Sequence, residues 1–296
     1  MDNPDDLPAL AARATRHTTP CGDGALVWHG WGPARGAPVG VAGGVGNAAA
    51  PAAPVVLLHG GSGSWTHWLR NIDALVAAGH AVWVPDMPGF GASAAPPDGH
   101  DADVLPGWLE LGIQQLIGAK PVALVGFSFG ALVAGLWAQA RPARVARLVL
   151  VGSPGLSAER LPPLDLRRWD SLPPGDARLA VHRHNLLQLM LVHAASATPL
   201  AVALHAANVE RDRLRQRRLM LTDAVAHLLP QLACPVHGIW GALDVLYASR
   251  LPLIGQVLGT ASGYRGITLV PDAGHWVAFE AAGAFNAALA AALADC

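Results

Sequence analysis

Short apolar runs that stop at Gly, Pro or Asp, and alternate with helix-length segments, constrain this chain more than any other feature. Val55 to Leu58 ends in His59-Gly60-Gly61, Ala81 to Val84 in Pro85-Asp86, and Val122 to Val125 in Gly126. Leu148 to Val151 ends in Gly152, Val236 to Trp240 in Gly241, and Ile267 to Val270 in Pro271-Asp272. Runs of this kind, apolar on both faces and separated by helices, predict an α/β fold with a mostly parallel sheet flanked by helices. Open sheets of that class bind ligands at the carboxyl ends of their strands. Functional residues are therefore expected just after the runs.

The rhythm breaks between Pro154 and Pro230, where no strand pattern appears. Leu, Ala, His and Arg dominate there, with prolines at 162, 163, 173, 174 and 199. Helices over Ala177 to Ala194 and Leu200 to Leu221 are expected, forming a helical cap inserted over the carboxyl edge of the sheet. The organisation read from the chain is a core over residues 1–153, a cap over 154–230, and the rest of the core over 231–296. Residues up to about 20 read as a loose or short helical lead-in, and Leu26 to Trp31 as a strand. The Gly/Ala/Pro/Val stretch from Gly32 to Pro54 reads as a hairpin region with a glycine-rich turn, and Ala281 to Ala294 as a helix closing the core.

Composition excludes several classes. With 296 residues, 52% of them hydrophobic, and 10 Trp, the chain buries enough to fold without staples. Charged residues are 14%, yet no apolar run approaches the roughly 20 residues of a membrane span. A net charge of −1 is not the basic footprint of a nucleic-acid binder. The one arginine-dense stretch, Arg211 to Arg218, contains Asp212, follows Glu210, and is expected to be a solvated helix face. Cys21, Cys234 and Cys296 are few, far apart and without a CxxC pair, so neither disulfides nor a zinc site is expected. That usage fits a reduced, cytoplasmic setting, and the acidic start Met1-Asp2-Asn3-Pro4-Asp5-Asp6 lacks the features of a signal peptide. The expected partner is a small hydrophobic molecule, with no cofactor, metal, nucleic acid or membrane; a homodimer is compatible with this reading.

The strongest chemical signal is Gly126-Phe127-Ser128-Phe129-Gly130, between the strand Val122 to Val125 and an apolar helix from Ala131 to Ala140. This is G-x-S-x-G in a strand–turn–helix context, which holds a serine Oγ exposed on a sharp turn. The Phe129 N–H then sits beside it at a helix N-terminus, ready for an oxyanion. A serine hydroxyl needs a base, and His275, after the last strand, is placed to be one. The imidazole needs a carboxylate. Asp244, after the penultimate strand, completes the chain order Ser, Asp, His, whereas Asp272 lies too close to His275 in sequence and Asp223 lies in the cap. A second oxyanion N–H is expected from His59-Gly60-Gly61-Ser62-Gly63-Ser64, at Gly61 with Ser62 next, and His59 is expected to brace that loop. Asp86, in Asp86-Met87-Pro88-Gly89-Phe90-Gly91-Ala92-Ser93, is expected to hold a turn.

These motifs together resemble the α/β-hydrolase superfamily: the elbow GFSFG, the oxyanion loop HGGSGS, the turn DMPGFGAS, the acid loop WGALD and the base loop DAGHWVAFE. The resemblance covers roughly residues 50–152 and 231–296. Two stretches, Trp65 to Ile72 and Gly274-His275-Trp276 followed by Ala284-Phe285-Asn286, resemble the meta-cleavage-product hydrolases, which break C–C bonds in vinylogous 1,5-diketones. That resemblance implies that Trp276 lines the substrate pocket, that the position of His67 touches substrate, and that a cap arginine, Arg211 or Arg213, does so too. The chain departs from the subfamily pattern at Phe127 and His67, both usually Asn, and in its shorter glycine loop. An apolar Phe127 beside the nucleophile suits an esterase for small hydrophobic acyl groups. The expected function is thus a serine hydrolase of a small hydrophobic carboxylic ester, with a C–C hydrolase or a non-enzymatic small-ligand receptor as alternatives. Cofactor-free haloperoxidases share the same triad, and acyl transfer to an alcohol or amine would use it too.

Overall fold

The computed structural model describes residues 6–32, 53–157 and 162–294. The hairpin expected between Gly32 and Pro54 lies almost entirely outside them, as does Cys296. In chain order the elements are α1 (Leu7–Ala12), β1 (Thr15–Cys21), β2 (Gly24–Trp31), β3 (Val55–Leu58), α2 (Ile72–Ala77), β4 (Val82–Pro85), α3 (Leu105–Leu116), β5 (Val122–Phe127), α4 (Phe129–Ala140) and β6 (Val145–Val151). There follow α5 (Asp176–Leu189), α6 (Pro199–Glu210), α7 (Ala224–Leu228), β7 (Val236–Gly241), α8 (Leu251–Leu258), β8 (Tyr264–Val270), α9 (Val277–Glu280) and α10 (Ala282–Ala294).

The eight strands form one sheet in the order β1-β2-β4-β3-β5-β6-β7-β8. β1, β2 and β4 pair antiparallel, and every pair from β4 to β8 is parallel. Alternate residues of a strand point to opposite faces, and the core divides accordingly. Val56, Leu58, Leu124 and Leu150 pack with α3, α4 and α8 through Leu109, Leu132 and Leu258. Val55, Leu57, Val125 and Val149 pack with α2 and α10 through Ile72, Phe285 and Leu289. Each fully buried side chain of this size contributes about 1.5–3 kcal/mol relative to exposure, so the sheet is fixed from both sides.

Three expectations need correction. The lead-in does contain the short helix α1, but residues 15–21 form β1, an edge strand whose polar sequence and Pro20 hide the strand pattern. Pro is tolerated there because an edge strand has backbone groups without ladder partners. In the insertion, the helix that starts at Pro199 stops at Glu210 rather than reaching Leu221. The Arg211–Arg218 stretch is not a solvated helix face: Asp212 and Leu214 are buried. Its backbone is captured by other loops, with Arg213 N–H donating to Gly89 O at 2.9 Å and Arg218 N–H to Asp101 Oδ2 at 2.6 Å, and within the stretch Leu214 N–H donates to Asp212 Oδ1 at 2.9 Å. The insertion's last helix, α7, packs on α4, where Leu228 lies over Gly135. Among the described residues no helix is long and apolar enough to cross a membrane.

Candidate active site

The turn after β5 is forced by sterics. A Cβ at Gly126 would lie 2.4 Å from Gly130 O, and one at Gly130 would lie 2.4 Å from His59 O. Only glycine allows β5, β3 and the first turn of α4 to come this close. Between them Ser128 holds φ 51° and ψ −120°, a left-handed backbone rarely adopted by a non-glycine residue. Its N–H is tied to Val151 O at 2.8 Å, and its own carbonyl accepts from Ala131 N–H at 2.8 Å. Oγ is thereby presented at the carboxyl edge of the sheet. The Phe129 N–H, the first of α4, has no intrahelical acceptor.

Three side chains from three loops meet there. His275 Nε2 lies 2.9 Å from Ser128 Oγ, and His275 Nδ1 lies 2.7 Å from Asp244 Oδ2. Asp244 is fully buried, and its Oδ1 accepts the Leu246 N–H at 3.0 Å. With Nδ1–H donated to the carboxylate, Nε2 is left to accept the serine proton. Gly152, at φ 53°, makes room for the ring, since a Cβ there would stand 3.1 Å from His275 Cε1. The base loop is anchored by Glu280, which accepts the N–H groups of Gly274, Val192 and His193. It thus binds that loop to the chain leaving α5. Asp272 is exposed and pairs with His193, and Asp223 pairs with His227; neither faces His275.

The glycine loop from His59 to Ser64 is braced as its sequence suggests. His59 Nε2 accepts the Met87 N–H at 2.9 Å and Nδ1 faces Gly60 O at 2.8 Å, so the ring is neutral with its proton on Nδ1; burial pushes its pKa down. Asp86 accepts from Trp65 N–H and Ala92 N–H, holding the turn beside it. His67 Nδ1 accepts the Gly60 N–H at 3.2 Å, which puts its proton on Nε2. Burial above all, with the neighbouring His59, His205 and His275, drives the His67 pKa well below that of a free histidine.

Ser128 and His275 open on a cavity of about 530 Å³. Gly61, Ser62, His67, Phe127 and Phe129 line it from the core side, and Leu189, Met190, His205, Val209, Arg215 and Arg217 from the insertion. Two residues expected at the pocket are not among those lining it. Trp276 is buried behind His67, donating Nε1–H to His67 O at 2.9 Å and stacking on Phe279. Arg211 follows the last residue of α6 and lies outside the lining, while Arg213 points its guanidinium at the carbonyls of Gly91 and Ser93. The insertion's contributions, His205 and Arg217, carry no motif that would have marked them.

Comparison with known proteins identifies the family. The alpha/beta hydrolase fold family matches residues 53–246. The chain is 30% identical over 257 residues to a 2-hydroxy-6-oxononadienedioate/2-hydroxy-6-oxononatrienedioate hydrolase of Klebsiella pneumoniae, covering 78% of this chain and 84% of that one. It is 26% identical over 244 residues to the 2-hydroxy-6-oxo-6-phenylhexa-2,4-dienoate hydrolase of Burkholderia cepacia, again covering 78% and 84%. Among solved structures, a meta-cleavage product hydrolase from Pseudomonas fluorescens superposes with a TM-score of 0.71 at 21% identity, covering 93% and 96%. A Bacillus subtilis carboxylesterase gives 0.74 at 18%, covering 98% and 95%. The strand order, the elbow and the matched residues lead to one conclusion: this chain belongs to the alpha/beta hydrolase fold family and is a hydrolase.

Proposed function

We propose that the chain hydrolyses small hydrophobic carboxylic esters through an acyl-enzyme on Ser128. The observation carrying this reading is the continuous hydrogen-bonded line from Asp244 through His275 to Ser128 Oγ, at 2.7 and 2.9 Å, at the wall of a cavity of about 530 Å³. In the reaction, Ser128 Oγ attacks the carbonyl carbon while its proton passes to His275 Nε2, and Asp244 stabilises the imidazolium. The carbonyl oxygen becomes an oxyanion facing the N–H groups of Phe129 and Gly61. Collapse expels the alcohol, which takes the proton from His275. A water, deprotonated by the same nitrogen, then attacks the acyl carbon and releases the acid. Phe127, Phe129, Leu189 and Met190 supply apolar wall for the acyl group. A receptor without turnover would not need the histidine held in line with both partners.

C–C bond hydrolysis of a dienoate is the second reading, favoured by the similarity to the two dienoate hydrolases over most of the chain. The same nucleophile and base would serve, with carbon as the leaving atom. The neutral imidazoles of His67 and His205 and the ring of Phe127 give this cavity its own chemistry. Assaying p-nitrophenyl acetate and butyrate beside a 2-hydroxy-6-oxo-dienoate separates the readings. Ester turnover abolished by Ser128→Ala in a folded protein is the expected result. Turnover of the dienoate alone replaces the first reading by the second, and ester turnover that survives Ser128→Ala refutes both.

A further inference from the structure

Ser62 adjoins Gly61 in the oxyanion loop and holds φ 50°. A serine stays in that region only where its surroundings hold it. What holds it comes from the insertion. Ser62 Oγ donates to Asp212 Oδ2 at 2.6 Å and accepts from Arg217 Nη2 at 3.2 Å. Arg217 Nη1 donates to the same Asp212 Oδ2 at 2.7 Å, closing a three-membered ring of hydrogen bonds. Asp212 is 5% exposed, and its other oxygen is taken by the Leu214 N–H. The guanidinium lies over the Phe129 and Phe90 rings, 5.5 and 5.6 Å from their centroids. Its Cζ stands 3.3 Å from where a Gly61 Cβ would be. It therefore sits between the two residues that offer amides to the oxyanion.

From this arrangement we infer that Asp212 and Arg217 are positioning residues, a latch by which the inserted segment sets the Gly61–Ser62 backbone so that the Gly61 N–H faces the oxyanion. The inference rests on the Ser128 hydrolase reading. The latch is selective for the carboxylate. In Asp212→Asn, one amide nitrogen must face either the Leu214 N–H or the Ser62 and Arg217 donors, so a donor always meets a donor. Ser62→Gly removes the hydroxyl while suiting φ 50°, so it tests the hydrogen bond apart from backbone strain.

The test uses the full chain and p-nitrophenyl butyrate. Losing an oxyanion donor outright costs about 100- to 1,000-fold in kcat, and loosening one is expected to cost at least about tenfold. Asp212→Asn and Ser62→Gly should each lower kcat by that amount at nearly constant KM. The double variant should be no worse than the poorer single, as residues of one network are non-additive. Affinity for a boronic acid, which binds Ser128 as a tetrahedral anion, should fall in step with kcat. Affinity for butyrate, and the apparent pKa of the rising limb in kcat/KM, should hold. Variants that melt like the parent and keep kcat within twofold overturn the latch. So do variants in which butyrate affinity and melting temperature fall along with kcat, since that marks a merely structural role. If a fluorophosphonate probe fails to label Ser128 in the parent chain, the hydrolase reading fails first and the latch falls with it.

Discussion

Asp244→Asn is the substitution for which the structure gives the sharpest expectation. The two carboxylate oxygens have separate tasks: Oδ2 accepts from His275 Nδ1 at 2.7 Å, and Oδ1 accepts from Leu246 N–H at 3.0 Å. An asparagine keeps the shape and must choose. The backbone N–H of Leu246 cannot turn away, so the amide oxygen stays on it and the amide nitrogen faces His275. A donor there requires Nδ1 to accept, which moves the imidazole proton to Nε2, toward Ser128 Oγ, where a lone pair is needed. Nothing in the core has to move, and Asp244 is fully buried, so the wrong tautomer is held firmly. The same change in a Ser-His-Asp protease lowers kcat by about 10⁴, close to 5.5 kcal/mol of transition-state stabilisation. A loss of that order is expected here, with KM for a p-nitrophenyl ester nearly unchanged. Circular dichroism and thermal melting would establish that the variant is folded. A kcat within tenfold of the parent would refute the reasoning, because it would mean that the base does not depend on this carboxylate for its tautomer.

Three further outcomes follow from the packing and charge. Gly130→Ala places a Cβ 2.4 Å from His59 O and 2.5 Å from Leu58 O; the elbow must shift, costing about 1–3 kcal/mol of stability and about 100-fold in kcat, read by melting and turnover together. Burial, with nearby His182, lowers the His205 pKa to about 4, so the unfolded chain binds the proton first as pH falls. Stability from this group is full above about pH 6.5 and is lost on the way down to about 4, amounting to about 2 kcal/mol between pH 7 and 5. Urea melts of the parent and of His205→Leu at those two pH values measure it, and an equal pH dependence in both refutes the assignment. Trp276→Phe removes the donor to His67 O, leaving a buried carbonyl unpaired at about 1–3 kcal/mol. Because Trp276 does not line the cavity, KM should stay within twofold while the melting temperature drops.

The legible parts of the chain share one physical property: local sequence and tertiary demand agree. β3, β5 and β7 are apolar on both faces because helices cover both faces, and each ends where a glycine lets the backbone turn or another chain approach. Ser128 and Asp244 are readable for the same reason, since each follows such a strand; His275 follows β8, an edge strand that is mostly half-exposed, and is readable from its place after the last strand in the chain order Ser, Asp, His. β1 was not legible. As an edge strand with one side largely exposed, it needs no apolar alternation, and Thr15, Arg16, Thr18 and Pro20 are all exposed. Trp276 was placed at the cavity by resemblance, yet its indole N–H is committed to His67 O.

The segment from Arg211 to Arg218 shows why the insertion is less legible. Arginine, leucine and glutamine are good helix formers, and in isolation the run continues α6 well. Intrinsic propensity amounts to a few tenths of a kcal/mol per residue, whereas one charge-assisted hydrogen bond contributes about 1.5–3 kcal/mol. Here Asp212 alone gathers donors from Ser62, Leu214 and Arg217. Arg213 adds its N–H to Gly89 O and its guanidinium to the loop carbonyls beyond. Those bonds outweigh the helix, but the ones to Ser62, Gly89 and Gly91 reach some 120 to 150 residues away in sequence, so no local window contains them. The bond of Arg217 to Ser62 places it in the cavity wall, where Arg211 was expected. A run of alternating Arg with one Asp, following a helix in a chain otherwise poor in charge, is therefore better read as an ion-pair strap than as a solvated face. The strap ties this irregular stretch of the insertion to Ser62, beside Gly61.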